Sequence, residues 1–204
     1  ASRKLSLAVT SRINARQQPR PGRDGNSPIP QVMSAPTVSQ DGMDRLPEVV
    51  RALADTPEIV DALKAVASLG LPDWWIGGGF VRNRLWDRMH GFNQSTPPMD
   101  VEVLYFDPIR TEAAADRHLE SKLRQICPDI PWTVRNQAWV HIERRDRPYL
   151  SVMDAMKHVP DTSTAVAASM SSTGRLRVLA PFGVDDLLGL QLRPSPYYLI
   201  HFAR

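Results

Sequence analysis

The sequence predicts an α+β fold in which helices flank a small mixed sheet. Three observations carry this expectation. Segments with helical apolar spacing are interleaved with segments of apolar–polar alternation. The two kinds follow one another without the regular strand–helix–strand rhythm of a doubly wound sheet. The 204 residues, 42% hydrophobic and 23% charged, are enough for one core of ordinary composition. No apolar run approaches the ~18 residues of a membrane span, so no membrane partner is expected. Cys127 is the single cysteine, which leaves no disulfide partner and no CxxC zinc site, and suits the cytoplasm.

The elements follow in order. Ordered structure is expected from Asp44 onward, where Leu46, Val49, Val50 and Leu53 recur at helical spacing. Thr56-Pro57-Glu58 reads as a helix start, with a hydroxyl cap and a proline in the first turn. Ile59, Leu63, Val66 and Leu69 form its inner stripe, and Gly70 closes it. Trp74-Trp75-Ile76 is a short strand running into Gly77-Gly78-Gly79, followed by a helix over 80–89 with Val81, Leu85 and Met89 on one face. After a polar loop, residues 99–106 alternate as a strand that Asp107-Pro108 stops. A helix is expected over 111–126, with Leu119, Leu123 and Ile126 inward, and a strand over 132–136. Ser151 and Asp154 have capping-box spacing for a short helix. Segments 165–171 and 175–180 flank Ser172-Thr173-Gly174 as a hairpin, and 184–190 is a last short helix. The chain shows no internal repeats.

Residues 1–42 differ from the rest. They hold five prolines, many Ser, Gln and Arg residues, and little apolar periodicity, which predicts a disordered basic tail. Their Arg-rich, acid-free start imitates a transit peptide, but a solvated arm or translation from upstream of Met33 or Met43 is the favoured reading. The net charge of +3 is concentrated there. Six basic and two acidic residues give the tail +4, which leaves −1 for the remainder. The folded part therefore has no overall basic excess, although a local basic cleft is compatible with that balance.

Asp100 and Glu102 are the most informative residues. On a strand, residues i and i+2 share a face, so both carboxylates project together while Val101 and Val103 point into the core. Two acids held this close repel unless a cation sits between them. Hard divalent ions take oxygen ligands, and a pair of Mg²⁺ ions about 3.5–4 Å apart serves phosphoryl transfer. The alternative is an edge strand with two acids facing water. Ile76-Gly77-Gly78-Gly79, a strand end passing through glycines into a helix, tips the balance. Glycines admit close approach of a ligand to the backbone, and free N–H groups at a helix start bind phosphate. A tight turn alone would need the same glycines.

Gly77-Gly78-Gly79-Phe80-Val81-Arg82 also resembles the dinucleotide-binding GxGxxG. However, Arg82 stands where that motif packs its last glycine, and Asp100 opens a strand rather than ending one. Dinucleotide binding is therefore the third reading. No GK[ST] sequence occurs, which excludes a P-loop.

Taken together, Gly77-Gly78-Gly79-Phe80-Val81-Arg82-Asn83 and Asp100-Val101-Glu102-Val103 resemble the hGG…DhDh/DhEh signature of the DNA polymerase β-like nucleotidyltransferase superfamily. The glycine segment resembles its tRNA CCA-adding branch. Four further segments are similar to a bacterial nucleotidyltransferase-like family: Val81 to Asp87, Val103 to Asp107, Pro131 to Ala138 and Ala180 to Leu187. The resemblance spans roughly 46–194 and implies a nucleotidyltransferase domain over 43–204 with the polymerase β-like fold. It also implies two Mg²⁺ ions and nucleotidyl transfer from an NTP to an acceptor that is a small molecule, a protein or RNA. Carried over, Gly78 and Gly79 contact the triphosphate, Asp100 and Glu102 ligate the metals, and Arg82 and Asn83 touch phosphates or ribose.

Two departures from the pattern stand out. The superfamily usually places a third acid, the base for the acceptor hydroxyl, on a neighbouring strand, but 132–136 has none and Asp129 lies just before it. A catalytically degenerate nucleotide-binding or scaffold protein is therefore the second reading. Residues 195–204 also look unlike the family. The five histidines lack zinc-site spacing, Cys127 reads as a core thiol, and Asp185 and Asp186 suit a helix N-terminus.

Overall fold

A computed structural model of the chain describes residues 44–201. The expected basic tail and Met43 lie outside the described residues.

The first two helices rest on sequence signals that act differently from one another. Helix α1, Leu46–Ala54, carries a proline in its first turn and buries Val49 and Leu53. Helix α2, Pro57–Ala67, starts at the expected proline and buries Ile59, Leu63 and Val66. Its Thr56 hydroxyl does not cap it; the hydroxyl donates back to the Ala52 carbonyl at 2.9 Å. The start is therefore set by the fixed φ of Pro57 rather than by a side-chain cap.

Strand β1, Trp75–Gly77, turns through Gly78 into helix α3, Gly79–Met89. Strand β2, Val101–Tyr105, leads to helix α4, Ala113–Ile126, and on to strand β3, Trp132–Asn136. Helix α5, Gln137–Arg144, follows β3 without a loop, and α6, Val152–Met156, comes next. Strands β4, Ala167–Met170, and β5, Leu176–Leu179, form the expected hairpin; α7, Asp185–Leu188, and α8, Pro196–His201, complete the described chain.

The sheet order is β3-β2-β1-β4-β5. Only β2 and β3 run parallel; β1 is antiparallel to both its neighbours, as is β4 to β5. The fold is thus α+β with a mixed sheet. One face, through Ile76, Val101, Val103, Tyr105, Trp132 and Val134, packs on the main core with α1 to α4. The other face carries a small cluster in which Leu104, Ala167 and Leu179 meet Val152 and Met156 of α6. Gly77 has no room for a side chain on this second face. A Cβ there would lie 3.0 Å from Leu104 Cδ1 and 3.7 Å from Met156 Sδ, so glycine lets α6 close down on the sheet.

Several sequence expectations shift. Met89 and Ile126, expected inside, are 45% and 50% exposed because each closes its helix beyond the edge of the core. Cys127 is only partly buried, against the rim of the main core. Helices α5 and α8 have no counterpart among the elements expected from the sequence. Among the described residues no helix is long and apolar enough to cross a membrane.

Candidate active site

The register explains how the two acids meet the glycine turn. Glu102 pairs with Gly77 on one side and with Thr133 on the other, so its side chain stands on the second face, at the end of β1 where the chain bends. Gly78 adopts φ 70°, ψ −147°, a region essentially closed to side-chain-bearing residues. That conformation aims the chain from strand to helix within one residue. A Cβ on Gly78 would lie 3.6 Å from Glu102 Oε2, so the carboxylate lies directly against the bend. Asp100 lies one residue before β2 and is exposed. It is close enough to Glu102 to influence its charge.

Neither acid accepts a hydrogen bond or forms an ion pair with any described residue. Glu102 is partly buried, and its carboxyl is held above the ordinary value of 4.5. Burial is the main cause; Arg144 opposes it, Asp100 reinforces it, and Arg135 opposes it more weakly. A carboxylate that is desolvated, faces a second acid and lacks donors costs stability until a cation reaches it. This donor set fits a divalent ion, which needs only one or two carboxylates beside phosphate oxygens and water.

Beside the acids, a cavity of ≈ 280 Å³ opens between the start of α3 and the loop over 96–100; Gly79, Arg82, Asn83 and Asp100 are among its lining residues. Arg82 is fixed rather than free. Its Nη1 donates to Thr164 Oγ1 at 2.6 Å, its Nε to Asn83 Oδ1 at 3.1 Å, and its guanidinium lies 5.0 Å from the centre of the Trp86 ring. The structure therefore brings Gly78, Gly79, Arg82, Asn83, Asp100 and Glu102 to one place.

The loop that carries Asp100 is pinned by residues the sequence did not single out. Asp87 accepts from Thr96 N and from Thr96 Oγ1, both at 2.7 Å, while Arg84 Nη1 donates to the Thr96 carbonyl at 2.6 Å. Arg84 and Asp87 are themselves buried on α3, and Arg84 Nε, also buried, has no partner among the described residues. One helix therefore starts at the glycine bend and supplies the clamp on the acid-bearing loop. No local signal foretells this, since the partners lie nine to twelve residues apart across a loop.

The expected third acid is not on β3. Thr133 stands opposite Glu102, and the next residue on that face, Arg135, pairs with Glu143 of α5 and lies 5.2 Å from the centre of the Trp139 ring. Among the described residues no group of three or more His, Cys, Asp and Glu side chains is arranged to hold a metal ion. The dinucleotide reading fails on topology. That site needs parallel strands joined by the crossover helix, and here α3 joins β1 and β2, which are antiparallel.

Comparison with known proteins agrees with this geometry. A nucleotidyltransferase family model matches residues 64–202. The match runs past Pro194 through most of the C-terminal segment expected to depart from the family. A solved structure described as revealing a CCA-adding enzyme head domain is 30% identical and superposes with a TM-score of 0.67. It covers 76% of this chain and 81% of its own. No curated protein matches the sequence. The strand–glycine–helix turn, the acids beside it and the mixed sheet thus accompany a family match over two thirds of the chain, and the protein belongs to the nucleotidyltransferase family.

Proposed function

We propose that the protein transfers a nucleotidyl group from an NTP to an acceptor hydroxyl. The acceptor oxygen bonds to the α-phosphorus as the bond to the departing pyrophosphate breaks, and the hydroxyl proton leaves to solvent. The observation that carries this reading is the Glu102 carboxylate against the Gly78 bend, desolvated and without a hydrogen-bond donor, beside a cavity bordered by Asp100. Asp100 and Glu102 would hold two Mg²⁺ ions, which supply charge neutralisation for the triphosphate. Gly78 and Gly79 leave the start of α3 open to phosphate oxygens. Arg82, fixed by Thr164, and Asn83 bind phosphate or ribose from the cavity wall. The contribution of the chain is positioning and electrostatics.

Incubation with α-labelled NTPs and a cell extract tests the proposal. Label is expected to move onto an acceptor with wild type and to fail with Asp100→Ala. Transfer undiminished in Asp100→Ala would refute the site assignment.

One observation favours a second reading, a nucleotide-binding scaffold that does not turn over. Thr133 and Arg135 occupy the β3 positions where the family pattern expects an acid. NTP binding with no transfer to any extract component would select that reading.

A further inference from the structure

A second cavity, ≈ 560 Å³, lies at the end of α5, where Arg144, Arg145 and Arg147 meet His158, Tyr197 and His201. Its charges are unevenly spent. Arg147 is committed to Asp154 through two bonds of 2.9 Å. The Asp146 carboxylate is taken by the hydroxyls of Tyr149 and Tyr197. Arg144 and Arg145 form no ion pair with any described residue; Arg144 meets the Tyr149 hydroxyl and feels the Asp146 and Glu102 carboxylates only at longer range, in a folded region that is close to neutral overall.

Backbone geometry sharpens the point. Arg145 has φ 57°, the left-handed conformation that usually closes a helix with glycine. Holding an arginine there is unfavourable, and such outliers concentrate where a side chain is needed in place. Aromatic rings line the same wall. His158 lies 4.9 Å from Tyr149 and 4.6 Å from Tyr197, and Tyr197 stacks on His201 at 4.1 Å. Arg144 is also within electrostatic reach of Glu102.

Guanidinium pairs recognise phosphate through paired N–H donors, and aromatic faces accept sugars or bases beside it. A molecule approaching two carboxylates and a triphosphate gains from positive charge held alongside. Resting on the nucleotidyl-transfer reading, we infer that this cavity seats the acceptor by a phosphate group held between Arg144 and Arg145. The acceptor is then a phosphate ester that also carries a hydroxyl. A single-stranded oligonucleotide and a sugar phosphate share that chemistry.

Calorimetric titration of the full chain, without NTP or divalent ion, tests the assignment. An eight-nucleotide single-stranded RNA and ribose 5-phosphate serve as separate titrants. One of them is expected to bind wild type and to bind Arg144→Gln/Arg145→Gln at least ten-fold more weakly; which one binds identifies the source. If it is the RNA, the slope of log affinity against log salt should fall by about 0.7, for the one phosphate no longer neutralised. Both side chains are exposed, and circular dichroism melts of the variant should superpose on wild type. Binding of neither titrant, or equal binding by the double variant, overturns the inference. Asp100→Asn, inert in transfer on the proposed mechanism, should still bind the titrant, so failure of transfer and failure of this cavity give different results.

Discussion

Two carboxylates near strand β2 are treated in opposite ways. Asp116, buried on α4, accepts from the Tyr105 hydroxyl at 2.6 Å, the Trp139 indole at 3.1 Å and the Asn136 backbone N–H at 3.2 Å. Beside it, Asn136 is fully buried. It accepts from Asp107 N and Ala138 N and donates to the carbonyls of Asp107 and Arg110. Glu102, a few residues back along β2, accepts nothing from the described residues and shares its surroundings with a second acid. Asp116 and Asn136 show what a buried polar group looks like when its role is to hold strands and helices together: every polar side-chain atom has a partner. Glu102 is left without a donor by the described residues, the pattern expected of a group that a partner from outside would complete on the proposed function.

Substitutions should separate the two ends cleanly. Asp100→Asn or Glu102→Gln should reduce nucleotidyl transfer by on the order of 10²–10³-fold while the fold persists, measured with labelled NTP. Asp116→Ala should do the reverse. It strands three buried donors and should cost about 3 kcal/mol, lowering Tm by roughly 6–12 °C. If Asp116→Ala melted like wild type, the contrast between the two carboxylates would be broken.

Gly78→Ala lies between these extremes. Space exists for the methyl group, with Glu102 Oε2 at an ordinary 3.6 Å, but φ 70° does not suit alanine. The expected cost is about 1–3 kcal/mol, visible in chemical denaturation, together with weakened NTP binding.

The smallest effect carries an inverted sign. Burial, reinforced by Asp100 and opposed by Arg144 and Arg135, raises the carboxyl of Glu102 above its unfolded value of 4.5. Between those two values the folded state holds the extra proton, so wild type loses stability as pH rises through that window, and the loss persists above it. Glu102→Gln lacks this loss. It should therefore be more stable than wild type at neutral pH, and the gain should vanish once the pH falls below the unfolded value. A variant destabilised at neutral pH would mean that Glu102 is structurally satisfied after all.

Much of this arrangement is legible in the sequence. The alternation around Asp100-Val101-Glu102-Val103 and the glycine run after Trp74-Trp75-Ile76 point, by local rules, to a strand beside a strand-to-helix bend; the structure keeps Glu102 on that strand but starts it at Val101, so Asp100 stands just before it rather than on it. Helix α5 is not legible. It begins at the last residue of β3, with Asn136 serving at once as strand end, helix N-cap and long-range hub. Its hydrogen bonds to Asp107 and Arg110 have no local signature. The clamp of Arg84 and Asp87 on Thr96 escapes for the same reason, since only folding brings the partners together. Helix α8 does leave a signal, because Ser195-Pro196 is an ordinary helix start. The cluster Arg144-Arg145-Asp146-Arg147 is equally plain as a run, but only the structure shows which of its charges are already paired.

The central claim is that Asp100 and Glu102 hold divalent metal for an NTP bound at the Gly78 bend. Electron paramagnetic resonance of Mn²⁺, titrated into the protein with and without NTP, tests it most directly. Wild type should take up Mn²⁺ together with NTP, and Glu102→Gln should leave the ion free at the same concentrations. Equal uptake by the two proteins would contradict the account.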